Sequence, residues 1–216
     1  MSKPNITTKP LSWFLDQGCH QVPLKHSKNK VRWGHPNGYF LRTNGQVAKH
    51  TFAPSQIANR RGSSYPGMRE CLPRPCHVIM AIAFYGERPI FIDEKTGKPY
   101  GGNCHHLIPD KLDYRPANLL CWLTRPEHRI ADDRQKALKT VVPNGDLRGF
   151  DYAILRELQN PRTMSDADFE FRLEYLRFMR DCDFDPRIFT AADFHHWFSM
   201  PFNDFQKFFL KYKESA

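Results

Sequence analysis

The apolar run at residues 119–123 (Leu-Leu-Cys-Trp-Leu) stops at Thr124, and a helix start follows at once. Thr124 can act as the N-cap, Pro126 suits the first turn, and Glu127 stands three residues after Thr124, where a capping-box glutamate belongs. Upstream, residues 103–108 read as a short strand. Residues 109–117 carry loop formers (Pro109, Asp110, Asp113, Pro116), and residues 119–123 suit a second, buried strand. The order is therefore strand, loop, strand, helix: a hairpin that feeds directly into a helix.

Chemistry-bearing side chains sit at defined places on this frame. Cys104, His105 and His106 lie on the first strand, Asn118 immediately precedes the second, and His128 falls in the first turn of the helix. Asp132, four residues after His128, projects from the same helical face. Imidazoles, an amide and a carboxylate in this arrangement are the parts needed to hold one divalent metal against a phosphodiester and to activate a water beside it. Strand alternation would send His105 and His106 to opposite faces, so the strand must twist or bulge there if both are to serve one site. A second pair, His195-His196, lies in an aromatic segment (Phe194, Trp197, Phe198) with no matching asparagine or third ligand, and reads as structural.

The segment resembles the HNH nucleases, whose ββα-metal (His-Me finger) unit has this element order. His105-His106 is similar to the opening pair of the motif, Asn118-Leu119 to its middle asparagine, and His128 to its closing histidine. Upstream, residues 38–49 and 77–86 are similar to the strand and helix that precede the nuclease unit in phage and homing-type members. In all, the resemblance covers roughly residues 31–138, with its specific part in about thirty-five of them. It implies a metal-dependent DNA endonuclease leaving 5′-phosphate and 3′-hydroxyl ends. His106 would be the general base, His105 and His128 metal ligands, and Asn118 the residue that fixes the orientation of His106 through the loop backbone. Many homing members carry Asp at the position of His105 and Asn at that of His128. Toxin members carry His at both, and a further His where this chain has Asp132. The mixed set leaves Mg²⁺, Mn²⁺, Zn²⁺ and Ni²⁺ open, the carboxylate favouring the first two. The alternative is a catalytically inactive relative that uses the same surface to bind DNA, as a repressor or accessory factor would.

Charge is consistent with DNA as the partner. The formal net charge of the 216-residue chain is +9, and its distribution is uneven. Residues 1–150 hold 23 Lys and Arg against 11 Asp and Glu, a net of +12, whereas residues 151–216 hold 9 against 12, a net of −3. A basic body of this kind suits phosphate contacts and makes binding fall with salt. Residues 55–74, rich in Arg, Gly, Ser and Pro, read as a DNA-contacting loop centred on Arg60, Arg61 and Arg69, and Arg129 beside His128 is a further candidate contact. The six cysteines (Cys19, Cys71, Cys76, Cys104, Cys121, Cys182) have no disulfide spacing and include no Cys-x-x-Cys pair, so reduced thiols in a cytoplasm are expected and a structural zinc is not. The longest apolar run, residues 78–85, is too short to span a membrane.

The expected fold class is α+β: the nuclease unit with an upstream β-hairpin and helix, then a C-terminal helical domain. Residues 1–30 read as a polar extension with a short turn at residues 11–15, and residues 31–140 as the nuclease domain. Within that domain, a hairpin is expected around Asn44-Gly45 and a helix at residues 77–84, in which His77 reads as structural. Residues 141–149 read as a linker and residues 150–216 as helices. Phe169, Leu173, Leu176 and Met179 form one apolar stripe, and Phe171, Tyr175, Phe178 and Cys182 a second. Phe202, Phe205, Phe209 and Tyr212 repeat the pattern in the last helix. This aromatic surface could serve a homodimer or a protein partner.

Overall fold

The computed structural model describes residues 10–22, 31–43, 48–52, 67–68 and 74–215. Arg60, Arg61, Arg69 and the Asn44-Gly45 turn lie outside them. The architecture is α+β, with small antiparallel strand sets followed by a helical C-terminal region. Two compact units are present. One holds the described residues up to His106 together with Asp110–Leu123; the other holds Leu107–Pro109 and the chain from Thr124 onward.

In the first unit, α1 (Leu11–Asp16) leads into β1 (His20–Val22), β2 (Val31–Gly34), β3 (Phe40–Thr43) and β4 (Ala48–Phe52), an antiparallel sheet in the order β1-β2-β3-β4. Strands β1 and β2 have three and four residues and no sustained alternation, which is why periodicity alone does not reveal them. The two-residue pair β5 (Gly67–Met68) and β6 (Arg74–Pro75) precedes α2 (Cys76–Tyr85). Seven consecutive residues of α2, Cys76 to Ile82, are buried, so the helix has no polar face and must be covered all round. It packs on β1 and β2, so closely that a Cβ at Gly34 would lie 2.7 Å from Met80 Sδ and the methionine would have to shift, and also on β9 (Asn103–His106) and β10 (Leu119–Leu123). Val22, Phe40, Ile79, Met80, Tyr114 and Leu119 form the shared core. A further hairpin, β7 (Ile90–Ile92) with β8 (Pro99–Gly101), precedes β9 and is closed by Arg88, which donates to the carbonyls of Gly101 and Gly102.

In the second unit, α3 (Arg125–Lys139) starts with the full capping box: Thr124 Oγ1 accepts from Glu127 N and Glu127 Oε2 accepts from Thr124 N. Helices α4 (Tyr152–Gln159), α5 (Asp166–Asp181), α6 (Ala191–Phe198) and α7 (Phe202–Ser215) follow. Side-chain caps start α4, α5 and α6: Asp151, Ser165 and Thr190 accept from Ala153, Asp168 and Asp193 N–H groups respectively. The core is aromatic: Tyr175, Phe194, Phe205 and Phe209 are fully buried, each contributing about 1.5–3 kcal/mol. On α5 the Phe169, Leu173, Leu176, Met179 stripe is buried with Tyr175, whereas Phe171 of the second stripe is exposed. On α7, Tyr212 is exposed while Phe205 and Phe209 are buried. Residues 141–149 contribute Val141, Val142 and Leu147 to the buried set. No helix among the described residues is long and apolar enough to cross a membrane.

Candidate metal centre

The pairing of β9 with β10 decides where the two adjacent histidines point. His105 opposes Leu120 and His106 opposes Leu119 in an unbroken register. The irregularity falls later, between Leu120 and Leu123, where Cys121 and Trp122 together face Cys104 and Trp122 adopts a φ of +64°. No bulge occurs at the histidines themselves. Alternation therefore holds, and the pair divides between the two faces of the hairpin. His106 shares a face with Leu119, toward α2, and its ring meets that of His77 edge-on, centroids 4.9 Å apart. Both rings are buried. His77 is thus a neighbour of the candidate base, a contact invisible in the sequence because 29 positions separate the two.

His105, on the opposite face, belongs to a different group. One ligand atom from each of His105, His128 and Asp132 can be chosen so that all lie within 4.8 Å of one another. His128 and Asp132 stand one turn apart on α3, with Nδ1 of the histidine 3.1 Å from Oδ2 of the carboxylate. Two ligands about 2.1 Å from a metal and at right angles to each other are about 3 Å apart, so this pair already has the spacing of adjacent ligands. Two imidazoles and one carboxylate would leave coordination positions for water on an ion held there. The residues present could therefore hold a metal ion. Cys76, Cys104 and Cys121, which share one core cluster, do not form a comparable group among the described residues.

Asn118 ends a 3-10 turn (Pro116–Asn118) and is fully buried, its amide donating to the backbone carbonyl of Asp113 across the loop at 3.3 Å. The residue after the histidine pair is held from elsewhere. The carbonyl of Leu107 accepts from Gln135 Nε2 on α3 and from Gln159 Nε2 on α4, both at 3.0 Å. Neither glutamine was singled out in the sequence, where each reads as an ordinary helix former. Arg129 is exposed on α3. Glu127, besides capping α3, is bound by Arg162, and this interaction with the Thr124 backbone bond holds its carboxyl down at about 2. His195 and His196 are exposed on α6, His195 bonded to Glu157 at 2.8 Å, and neither belongs to the metal group.

Comparison with protein-family models, curated proteins and solved structures yields no match for this chain.

Proposed function

We propose that the protein is a metal-dependent DNA endonuclease of the HNH type, with the segment from Asn103 to Lys139 as its ββα-metal unit. The observation that carries this reading is the group of His105, His128 and Asp132, whose ligand atoms come within 4.8 Å of one another although 27 positions separate the first from the last. The hairpin-helix order and the buried Asn118 support it. A bound divalent ion, Mg²⁺ or Mn²⁺ in preference to Zn²⁺ or Ni²⁺ because of Asp132, supplies stabilisation of charge on the phosphate and the leaving 3′ oxygen. His105, His128 and Asp132 hold it. In this reading His106, outside the ligand group, takes the proton from the attacking water, which requires β9 to twist at the pair so that both histidines reach one site, and Asn118 braces the loop leading into the strand that pairs with it. The basic first 150 residues, with Arg129 on the exposed side of α3, supply phosphate contacts.

The second reading, a DNA-binding protein without cleavage, is favoured by one observation: the His106 ring is buried against His77 on the face of β9 opposite His105. Supercoiled plasmid incubated with Mg²⁺, Mn²⁺ or Ni²⁺ separates the two. Nicking that is lost in His106→Ala supports the endonuclease; retarded but intact plasmid supports binding alone. If plasmid is neither nicked nor retarded, both readings fall.

A further inference from the structure

The bulge in β10 brings a second thiol opposite the residue that precedes His105. Cys121, with Trp122, faces Cys104, one residue before His105. Opposed positions on antiparallel strands bring Cα atoms to about 4.5–5.5 Å and point both side chains to one face. The bulge disrupts the ladder locally, so the two strands must approach slightly to bring this pair within the about 4.4–6.8 Å a disulfide bridges. Both side chains pack on the same apolar cluster, both are partly exposed, and neither is in a disulfide. The other described cysteines are less suited. Cys76 and Cys19 are buried, burial pushing the Cys19 thiol up to about 11, and Cys182 lies in the other unit.

We propose that Cys104 and Cys121 form a reversible cross-strand disulfide, made by exchange with a low-molecular-weight disulfide such as oxidised glutathione, and that the bond weakens metal binding at His105. The pairing stands on the hairpin alone, whereas the effect on metal rests on the function proposed above. In the first step the thiolate of one cysteine attacks a sulfur of the small disulfide and expels one small thiolate. The thiolate of the second cysteine then attacks the protein sulfur of the mixed disulfide and expels the other. Two protein thiols become one S–S bond, their protons go to solvent or to the expelled thiolates, and the small disulfide is reduced to two thiols. Cys104 must move toward Cys121 to make the bond, and His105, its peptide neighbour, moves with it. A coordination shell tolerates about 0.2 Å in ligand distance, so a small shift is enough to matter.

The test uses the full chain treated with oxidised glutathione. Peptide mapping without reductant is expected to find Cys104 joined to Cys121, and titration calorimetry with Mn²⁺ or Zn²⁺ to show affinity at least about tenfold weaker than in the reduced protein, restored by dithiothreitol. Cys104→Ser and Cys121→Ser should each keep full affinity through the same treatment. A stable glutathione adduct without the crosslink, or a crosslink through Cys76, overturns the pairing. A Cys104–Cys121 crosslink with unchanged affinity overturns the effect on metal. Failure of the reduced protein to bind either metal overturns the metal centre and that effect together, while the crosslink map still decides the pairing.

Discussion

His128 and Asp132, one turn apart on α3, are in direct contact, Nδ1 to Oδ2 at 3.1 Å. Helical periodicity puts the two side chains on one face, four residues apart, where they can reach a shared ion. Asp132→Ala is expected to weaken Mn²⁺ binding at least about tenfold, and Asp132→His to move preference from Mg²⁺ and Mn²⁺ toward Zn²⁺ and Ni²⁺ by replacing a hard oxygen with an imidazole nitrogen. Calorimetric titration of each metal into each variant checks both statements, and unchanged affinity in Asp132→Ala would remove the carboxylate from the centre.

The carbonyl of Leu107 has two amide donors, Gln135 and Gln159. Replacing either by Leu leaves the other bond to this carbonyl in place, so the Leu107 part of each single loss should be about 1 kcal/mol. The double replacement strands a buried carbonyl, which costs about 1–3 kcal/mol. Urea unfolding of the two single variants and the double is therefore expected to show a loss greater than the sum. Strict additivity would mean that the two bonds are not alternatives for one acceptor.

Local signals and long-range ones differ in how much of this was legible. Thr124, Pro126 and Glu127 carry the start of α3 in three residues, and the observed capping box is the one their spacing predicts. The run at residues 119–123 is β10 end to end, and Ser165 caps α5 as its position suggests. The grouping of His105 with His128 and Asp132 was readable because hairpin and helix are contiguous in sequence. By contrast, the contact of His77 with His106 and the bonds from Gln135 and Gln159 to Leu107 depend on packing between elements 28 or more residues apart, with no local signature. A twist or bulge on the histidine strand was the condition for His105 and His106 to serve one site; the bulge lies instead on the partner strand at Cys121–Trp122, where the residue type gives no warning, since Trp rarely takes a positive φ.

Glu127 ties the helix start to Arg162, whose guanidinium is the main reason its carboxyl titrates at about 2 instead of 4.5. A carboxyl depressed in the folded state stabilises above its unfolded value and loses that contribution as pH falls through the folded one. Glu127→Gln, which keeps the shape and removes the charge, is expected to cost about 1 kcal/mol at pH 7, the Arg162 side of the pair being partly solvated. The gap between wild type and variant should stay constant above pH 4.5, narrow below it and close near pH 2. Denaturant unfolding across that range measures it; a gap that persists at pH 2 would assign the loss to packing.

Asp183 follows the C-cap of α5 in the left-handed region, φ +65°, and the surrounding bonds are those of a Schellman ending: Asp183 N–H donates to Arg180 O and Phe184 N–H to Met179 O. A side chain at this position carries a steric cost that glycine lacks, smaller for Asp than for most residues. Asp183 makes a short-range turn and closes α5 ahead of the 3-10 turn at Pro186–Ile188. Asp183→Gly keeps both backbone bonds and removes the clash, while giving back some entropy to the unfolded chain. The balance at a left-handed site favours glycine, so the variant should be more stable by about 0.5–1 kcal/mol, read as a higher urea midpoint with an unchanged slope. A lower midpoint would mean that the carboxylate itself makes interactions worth more than the strain it imposes.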